Sequence, residues 1–241
     1  MAFNDIKKKE ILEAANKWFK NKIALNHVKN TEKLVNPIKF KMNPFLVAYL
    51  ANFLTGNTDP LSIAKALVYS RVLATSINTS FGQNFQYFTN EVFESLGSTT
   101  KGIDIEFIDQ VDNRKKYCQL KAGPSTINND DVATIHNHFS AIKNLARTNN
   151  LKLEMDDLIV GVLYGEKNEL STHYKNIEKK HYYPVFVGQD FWHRLTGDNN
   201  FYFELIKSFA GIAREFDGTK LLEKTINTLA KTEIIQKLAG L

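Results

Sequence analysis

The 241-residue chain contains a single cysteine, Cys118, and no apolar run that approaches the roughly 20 residues needed by a membrane-spanning helix. One cysteine excludes an intramolecular disulfide and any cysteine-based zinc site. The N-terminus, MAFNDIKKKEILEAANKW, carries charges where a signal peptide needs an apolar stretch. These absences predict a folded cytoplasmic protein without membrane contact, in which Cys118 is a buried residue of a strand.

The motifs of several other enzyme classes are also missing. The chain has no phosphate-binding loop, dinucleotide fingerprint or nucleophile motif, and no HxxxH zinc helix. His136 and His138 are two residues apart, so on a helix they face different directions and do not form a metal-binding pair. An enzyme that acts on something other than nucleic acid is therefore disfavoured.

The composition itself predicts a real core and a slightly basic surface. Hydrophobic residues make up 43% of the chain and aromatic residues 12%, which suffices for a folded domain of this length. Lysine and arginine number 31 against 26 acidic residues, a formal charge of +5. This balance favours polyanionic partners, although by itself it is modest evidence.

Helix signals dominate the first part of the chain. Apolar residues recur at helical spacing from Ile6 to Ile23. Two further helices are predicted to begin at Asn43–Pro44 and Asp59–Pro60, because an N-cap residue followed by proline is typical of a helix start. An aromatic helix follows and is predicted to end at Gly97.

Residues 101–131, KGIDIEFIDQVDNRKKYCQLKAGPSTINNDD, are predicted to form two strands joined by a polar turn. In residues 102–108, apolar and acidic residues alternate, so Asp104 and Glu106 share one face. The second strand, 117–121, ends in a lysine. If the strands pair as a hairpin, two carboxylates and an ammonium group meet at one edge. Such a cluster can hold a divalent cation beside a phosphate and an attacking water.

After the hairpin, the pattern predicts a parallel arrangement. Asn128 and Asn129 can cap a helix whose first turn carries acidic residues. Residues 158–164, LIVGVLY, indicate a strand buried on both faces, and because it follows a helix it is expected to be parallel. Another strand is predicted at 183–187, then a short helix in GQDFWHRLTGD, and two amphipathic helices beyond residue 201.

This order of helix, acidic strand, strand ending in lysine, helix and apolar strand resembles the PD-(D/E)XK nucleases. The segments RVLATSINTSFGQNFQ, GIDIEF, YCQLKAGPSTINNDD and GQDFWHRLTGD together resemble a family of type II restriction endonucleases that cut interrupted GG-N-CC-type sites. The resemblance covers at least residues 43–203. Its signature is specific in combination, whereas each segment alone is weak.

The resemblance implies an α/β fold with a restriction-endonuclease-like core, in which helices flank a mixed central sheet, and with helical extensions at both ends. Residues 1–78 are expected to form an N-terminal helical region that embraces DNA or dimerises. Residues 79–200 are expected to form the nuclease core. Residues 201–241 are expected to form helices that pack on the core or a dimer interface.

The resemblance also implies roles for the hairpin residues. Asp104 matches the metal-binding aspartate, and Lys121 matches the lysine that positions the attacking water and offsets charge on the phosphate. Gln119 stands where the general pattern has a second carboxylate. An amide oxygen can still coordinate Mg²⁺, with the Leu120 carbonyl, but it contributes no charge. Glutamine also occurs here in other active branches of the superfamily.

The missing charge leaves two candidates for a further metal ligand. Glu91, on the helix before the hairpin, is the first candidate, and Glu106 is the second because it lies further along its strand than the catalytic end. Without either of them, metal binding would depend on an oxygen from the DNA phosphate.

DNA contacts are expected from short polar side chains after Lys121 and from basic residues elsewhere. The polar segment also has a structural interpretation as a turn and helix cap, and both can hold because a helix N-terminus binds phosphate. His193 and Arg194 are either DNA contacts or ordinary surface residues. The predicted DNA-binding residues are Ser125, Thr126, Asn128, Asn129, Arg71, Lys101, His193 and Arg194.

The resulting hypothesis is a Mg²⁺-dependent type II endonuclease that hydrolyses phosphodiester bonds of double-stranded DNA and leaves 5′-phosphate ends. A palindromic target implies a C2 homodimer with one active site per strand, and a restriction enzyme implies a companion DNA methyltransferase. Two alternatives stay open: a repair or modification-dependent nuclease of the same fold, and a DNA-binding module that has lost activity.

Overall fold

The computed structural model describes residues 5–93 and 96–240, apart from the side chains of Gln86 and Thr89. The strands in these residues are β1 (Ile105–Ile108), β2 (Lys115–Lys121), β3 (Leu158–Val162) and β4 (Val185–Val187). The α-helices are α1 (Asp5–Trp18), α2 (Leu25–Glu32), α3 (Pro44–Thr55), α4 (Pro60–Ser70), α5 (Ile77–Val92), α6 (Asn129–Thr148), α7 (Thr172–His181), α8 (Gln189–Thr196), α9 (Phe201–Ala213), α10 (Thr219–Ala230) and α11 (Glu233–Ala239). π-Helical segments at Phe19–Ala24 and Arg71–Ser76 follow α1 and α4. None of the helices in these residues has the length and apolar character needed to cross a membrane.

The four strands form one mixed sheet in the order β1-β2-β3-β4. β1 and β2 are antiparallel, with Ile105 opposite Cys118, which confirms the predicted hairpin. β2 and β3 are parallel and are connected through α6, and β3 and β4 are parallel and are connected through α7. A mixed sheet with flanking helices is the fold class predicted from the sequence.

The chain divides into two compact units. The first comprises Met1–Trp18 and Phe85–Phe209 and contains the whole sheet. The second comprises Phe19–Asn84 and Ala210–Leu241 and is helical in its described residues. The predicted regions 1–78, 79–200 and 201–241, with their roles in DNA embrace and dimerisation, stay predictions.

The core of the first unit lies between the sheet and helices α6 and α7. Its buried side chains include Phe139, Val160 and Tyr174. On the opposite face, α8 approaches the sheet so closely that a Cβ on Gly161 would lie 2.5 Å from a ring carbon of Phe191. Cys118 lies beside the same glycine and is fully buried, which confirms its predicted apolar role.

The second unit has its own core, built by α3, α4, α10 and α11. The predicted starts of its first two helices are confirmed. Asn43 accepts the Phe45 N–H at 3.1 Å, and Asp59 accepts the Ser62 N–H at 2.7 Å. Each bond satisfies a backbone donor that the first helical turn leaves without an intrahelical partner.

Several boundaries differ from the sequence prediction: α5 ends at Val92 rather than at Gly97, β2 begins at Lys115 rather than at residue 117, β3 ends at Val162 rather than at residue 164, and β4 begins at Val185 rather than at residue 183. Two further differences depend on single hydrogen bonds. β1 begins at Ile105 rather than at residue 102, because the Asp104 carboxylate, not a strand backbone group, accepts the Leu120 N–H. The C-terminal region contains three helices rather than two. α10 ends before Thr232, whose hydroxyl donates to the Leu229 carbonyl at 2.7 Å and whose backbone is extended. This local hydrogen bond competes with continuation of the helix.

A buried ionic network ties the hairpin to the start of β3. The Lys116 side chain is 1% exposed, and its Nζ lies 2.6 Å from Asp112 and 3.6 Å from Asp157. Arg114 donates to both carboxylate oxygens of Asp157. Burial raises the pKa of Asp157, but the hydrogen bonds from Arg114 and from the Glu154 N–H outweigh burial and lower that pKa below its usual range.

We predict that Asp157→Ala lowers the free energy of unfolding by about 3 kcal/mol at pH 7, because it removes the buried carboxylate that accepts from Arg114 and leaves the buried Lys116 with Asp112 alone. The pKa of Asp157 is lower in the folded state than in the unfolded state. Its contribution to the free energy of unfolding is therefore complete above the unfolded-state pKa of about 4 and is lost as pH falls through the folded-state pKa. Urea denaturation of wild type and variant should therefore show a difference that narrows in acid. Asp156→Ala, at the exposed neighbouring position, is the control, and an equal loss in both variants would contradict the prediction.

Candidate active site

Asp104 lies immediately before β1, where the ladder between β1 and β2 ends. Its Oδ2 accepts the Leu120 N–H at 2.7 Å, and its own N–H donates to the Cys118 carbonyl at 3.0 Å. Because the N–H and C=O of one strand residue point to the same side, the Leu120 carbonyl is directed to this edge as well. The structure thus brings together two of the predicted metal-binding residues.

Gln119 is the neighbour of Leu120 on β2 and is 6% exposed. It follows Cys118, which is opposite Ile105 in the last pair of the β1–β2 ladder. Its amide nitrogen, Nε2, donates to the Gly102 carbonyl and lies 2.7 Å from Nδ1 of His138 on α6. The amide is therefore held by groups from two different elements.

Lys121 is the last residue of β2, and its side chain is 24% exposed. Its Nζ lies 3.6 Å from Oδ1 of Asp131 in the first turn of α6. Its charge also acts on Asp104, where burial raises the pKa of the carboxyl group and Lys121 offsets part of that rise. The hairpin and the start of α6 thus place the Lys121 ammonium group near the carboxylates of Asp104 and Asp131.

The electrostatics of Asp104 are dominated by burial. Burial raises the pKa of Asp104 above its usual range, and the hydrogen bond from the Leu120 N–H and the charge of Lys121 offset only part of that effect. The ionised carboxylate is consequently held at a cost. A bound divalent cation would reduce this cost, because it favours the charged form.

The two candidates for a second carboxylate have different surroundings. Glu106 accepts hydrogen bonds from the hydroxyls of Ser98 and Thr100, and its Oε2 lies 2.7 Å from Lys115. Although burial raises the pKa of Glu106, these partners lower it below the usual range, so its charge is already compensated. Glu91 lies on the exposed side of α5.

In residues 5–93 and 96–240, no group of three or more His, Cys, Asp or Glu side chains is arranged to hold a metal ion. The set formed by Asp104, the Gln119 amide and the Leu120 carbonyl contains only one residue of those types. It supplies oxygen donors, which suit Mg²⁺, with a single negative charge.

The polar segment after Lys121 is held mainly by its own hydrogen bonds. Asn128 caps α6 and accepts the N–H groups of Asp130 and Asp131 at 2.8 and 3.0 Å, which confirms the predicted cap. The Thr126 hydroxyl donates to the Gly123 carbonyl at 2.8 Å. Ser125 is exposed at this helix start. Asn129 is exposed too, with its Oδ1 3.1 Å from Nδ1 of His173.

The predicted basic contacts are dispersed in the chain. Arg194 pairs with the buried Asp109 at 2.8 Å, and its guanidinium lies 4.0 Å from the centre of the Phe186 ring. That arrangement gives Arg194 a structural role, whatever else it contacts. His193 is half-buried, whereas Lys101 is exposed. In the second unit, exposed Arg71 lines a cavity of about 320 Å³ together with Lys33 and Lys39.

Two participants were not predicted: His138 beside Gln119, and Asp131 beside Lys121. Nothing in the hairpin sequence points to either. A signal for His138 did exist, because it lies three residues after Ile135 and four before Ile142, on the face that α6 buries. In the sequence, His138 stood out only as a possible metal-binding partner of His136.

The family model of type II restriction endonuclease EcoO109I matches residues 6–217, which is most of the chain. The matched region includes every residue of the candidate site. No similar protein was found among the curated proteins.

We predict that Asp104→Asn raises the free energy of unfolding at pH 7 by roughly 1 kcal/mol, a gain common for single stabilising substitutions. Asparagine can still accept the Leu120 N–H, but it carries no buried charge. The pKa of Asp104 is higher in the folded state than in the unfolded state. The carboxyl group therefore costs no free energy of unfolding below the unfolded-state pKa of about 4. The cost grows as pH rises from there towards the folded-state pKa. Urea denaturation should show that the stability gained by the variant is smaller at pH 4 than at pH 7. A variant that is less stable than wild type at both pH values would contradict the prediction.

Proposed function

Because the chain belongs to the type II restriction endonuclease EcoO109I family, we propose that it is a Mg²⁺-dependent endonuclease of the PD-(D/E)XK type that cuts both strands of DNA. Family membership makes the protein a site-specific DNA nuclease that binds double-stranded DNA. Asp104 and Lys121 beside one strand edge are the observation that supports the catalytic assignment. We further propose an interrupted GG-N-CC-type target, on the sequence resemblance alone.

Three oxygen donors are proposed to hold Mg²⁺: the Asp104 carboxylate, the Gln119 amide oxygen and the Leu120 carbonyl. The raised pKa of Asp104 supports this assignment, because it marks a buried carboxylate that a cation would stabilise. When bound, Mg²⁺ supplies positive charge at the reacting phosphate. The protein contributes one negative charge, so a DNA phosphate oxygen is expected to complete the site and Glu91 to remain the candidate for a further ligand.

Lys121 is proposed to act on the attacking water and on the phosphate. Its ammonium group can hold the water by a hydrogen bond and offset the negative charge that grows on the phosphate oxygens. Water attacks phosphorus in line, the bond from phosphorus to the 3′ oxygen breaks, and the products are a 5′-phosphate and a 3′-hydroxyl. Asp131, 3.6 Å from Nζ, keeps the ammonium group at the end of β2.

DNA is proposed to approach the start of α6. Ser125 and Asn129 present exposed polar groups there, which suit contacts to phosphate oxygens. Asn128 and Thr126 support the same turn through their own hydrogen bonds. Lys101 and Arg71 are proposed as exposed cationic contacts to DNA, and the half-buried His193 is proposed as a further contact. Arg194 is the weakest member of the predicted set, because Asp109 already neutralises it.

A homodimer is proposed from the surface of α3. Six large apolar residues of this helix are 45–91% exposed, whereas Val47 and Ala51 face the core of their unit. They recur at four-residue spacing in two adjacent rows, so they form one face; they are Phe45, Leu46, Tyr49, Leu50, Phe53 and Leu54. A helix that is apolar all round is normally buried. A second copy is the proposed occupant, because cutting both strands of a palindrome requires two active sites.

The family match favours restriction over a repair or modification-dependent nuclease and over an inactive binding module. For a restriction enzyme, we propose a cytoplasmic location and a companion methyltransferase that protects the host's own sites. Cutting of unmethylated plasmid at one fixed sequence would distinguish this function from the modification-dependent alternative.

We predict that purified protein with Mg²⁺ converts plasmid DNA into discrete fragments and that Lys121→Ala abolishes cutting while DNA binding persists. General acid–base groups of this kind contribute about 10²–10⁴-fold to rate, so single-turnover cleavage should fall by at least about a hundredfold. Electrophoretic mobility shift in Ca²⁺ measures binding. Lys152→Ala, a surface lysine that is 84% exposed, is the matched control and should cut normally. Undiminished cutting by Lys121→Ala would contradict the assignment.

We predict that wild type is a dimer of 27.5 kDa subunits and that Phe45→Glu/Phe53→Glu makes it a monomer, because charges replace side chains that are 91% and 78% exposed on α3. Light scattering after size-exclusion chromatography measures the mass. Phe203→Glu, at another exposed apolar position, should leave the dimer intact. A monomeric wild type, or a dimer in the double variant, would exclude this interface.

A further inference from the structure

His138 occupies an unusual position for a polar residue of α6. It lies on the buried face of the helix, and its ring packs against Gly102 just before β1. Gly102 has φ +83°, and a Cβ there would lie 2.3 Å from Cγ of His138. Only glycine satisfies both the backbone conformation and the space. The imidazole is therefore seated directly against the beginning of the hairpin.

The hydrogen bonds of Gln119 define which way its amide faces. A primary amide nitrogen has two N–H donors, and here two acceptors surround it: the Gly102 carbonyl and Nδ1 of His138, 2.7 Å away. For Nδ1 to accept, the proton of the neutral imidazole must be on Nε2. With both N–H groups engaged by these acceptors, the amide oxygen is the group that Gln119 can offer to a cation.

Two acceptors constrain an amide more than one does. A single hydrogen bond to Gly102 would leave the amide free to rotate about that bond, whereas a second acceptor fixes its plane. A reversed amide would bring its oxygen against the Gly102 carbonyl oxygen. It would also place N–H groups, which cannot bind a cation, where the amide oxygen now lies. In a site with one carboxylate, the orientation of this neutral ligand matters more than it would beside a second charge.

We propose that His138 is a positioning residue that orients the Gln119 amide so that its oxygen is presented to the divalent cation. The inference rests on the proposed function and adds a residue from α6 to the metal site. His138 acts through Gln119, and it requires no direct contact with metal or DNA. Removing a residue that orients a metal ligand in this way typically lowers metal affinity by about 10- to 100-fold.

The test compares His138→Phe, which keeps a ring but has no acceptor, with His138→Asn, whose side-chain oxygen can occupy the place of Nδ1. We expect His138→Phe to raise the Mg²⁺ concentration for half-maximal plasmid cleavage by about tenfold. The rate at saturating Mg²⁺ should fall much less. His138→Asn should restore most of the metal affinity. Equal defects in both variants would indicate a packing role and overturn the proposal.

A second readout avoids catalysis. Fluorescence anisotropy of a labelled duplex carrying the mapped cleavage site, titrated with Ca²⁺, reports metal-dependent binding without turnover. His138→Phe should shift the Ca²⁺ midpoint by the same factor as the Mg²⁺ requirement. In a Gln119→Met background, which has no amide to orient, adding His138→Phe should cause no further shift. A full further shift there would overturn the proposal.

A control variant and the wild type distinguish failure of the proposed His138 role from failure of the proposed nuclease function. His181→Phe replaces an imidazole on α7 that stacks on His136 rather than contacting Gln119, and it should leave both metal titrations unchanged. If wild type cuts plasmid but His138→Phe has a normal metal requirement, only the role of His138 is excluded. If wild type does not cut at any Mg²⁺ concentration, the proposed function itself is excluded.

Discussion

The hydrogen bond from the Leu120 N–H to the Asp104 carboxylate, 2.7 Å long, sets the geometry on which the candidate site depends. It replaces a backbone pair where β1 would otherwise continue, so the ladder ends and a carboxylate occupies its edge. The same bond directs the Leu120 carbonyl to that edge. One interaction thus ends a strand, orients a side chain and groups two oxygen donors.

This arrangement buries a carboxylate without a matching ion pair of its own. Glu106, two residues along the strand, has a lysine and two hydroxyls as partners, and burial no longer determines its pKa. At Asp104 burial still prevails. The contrast between two carboxylates on one strand is a physical reason to assign structure to one and chemistry to the other, since functional sites commonly retain groups whose charge is costly.

Much of the fold was predictable because the relevant signals are local. Asn43 and Asp59 cap helices through their own side chains, Asn128 does the same at α6, and the alternation around Asp104 indicated a strand. The beginning of β1 and the break at Thr232 were not predictable, since each depends on a particular hydrogen bond rather than on periodicity. Arg194 was predicted to be a DNA contact or an ordinary surface residue, and no local pattern indicated that the fold would place Asp109 beside it.

The sequence by itself determined the α/β class, the hairpin with Asp104 and Lys121 at its ends, and the resemblance to restriction endonucleases, because these follow from residue order and period. Only the tertiary structure decided what surrounds them. The crossover through α6 carries Asp131 to Lys121 and His138 to Gln119, across 10 and 19 residues of chain. Contacts of that kind arise when a helix packs back on a sheet, and no local pattern records which side chains will then meet.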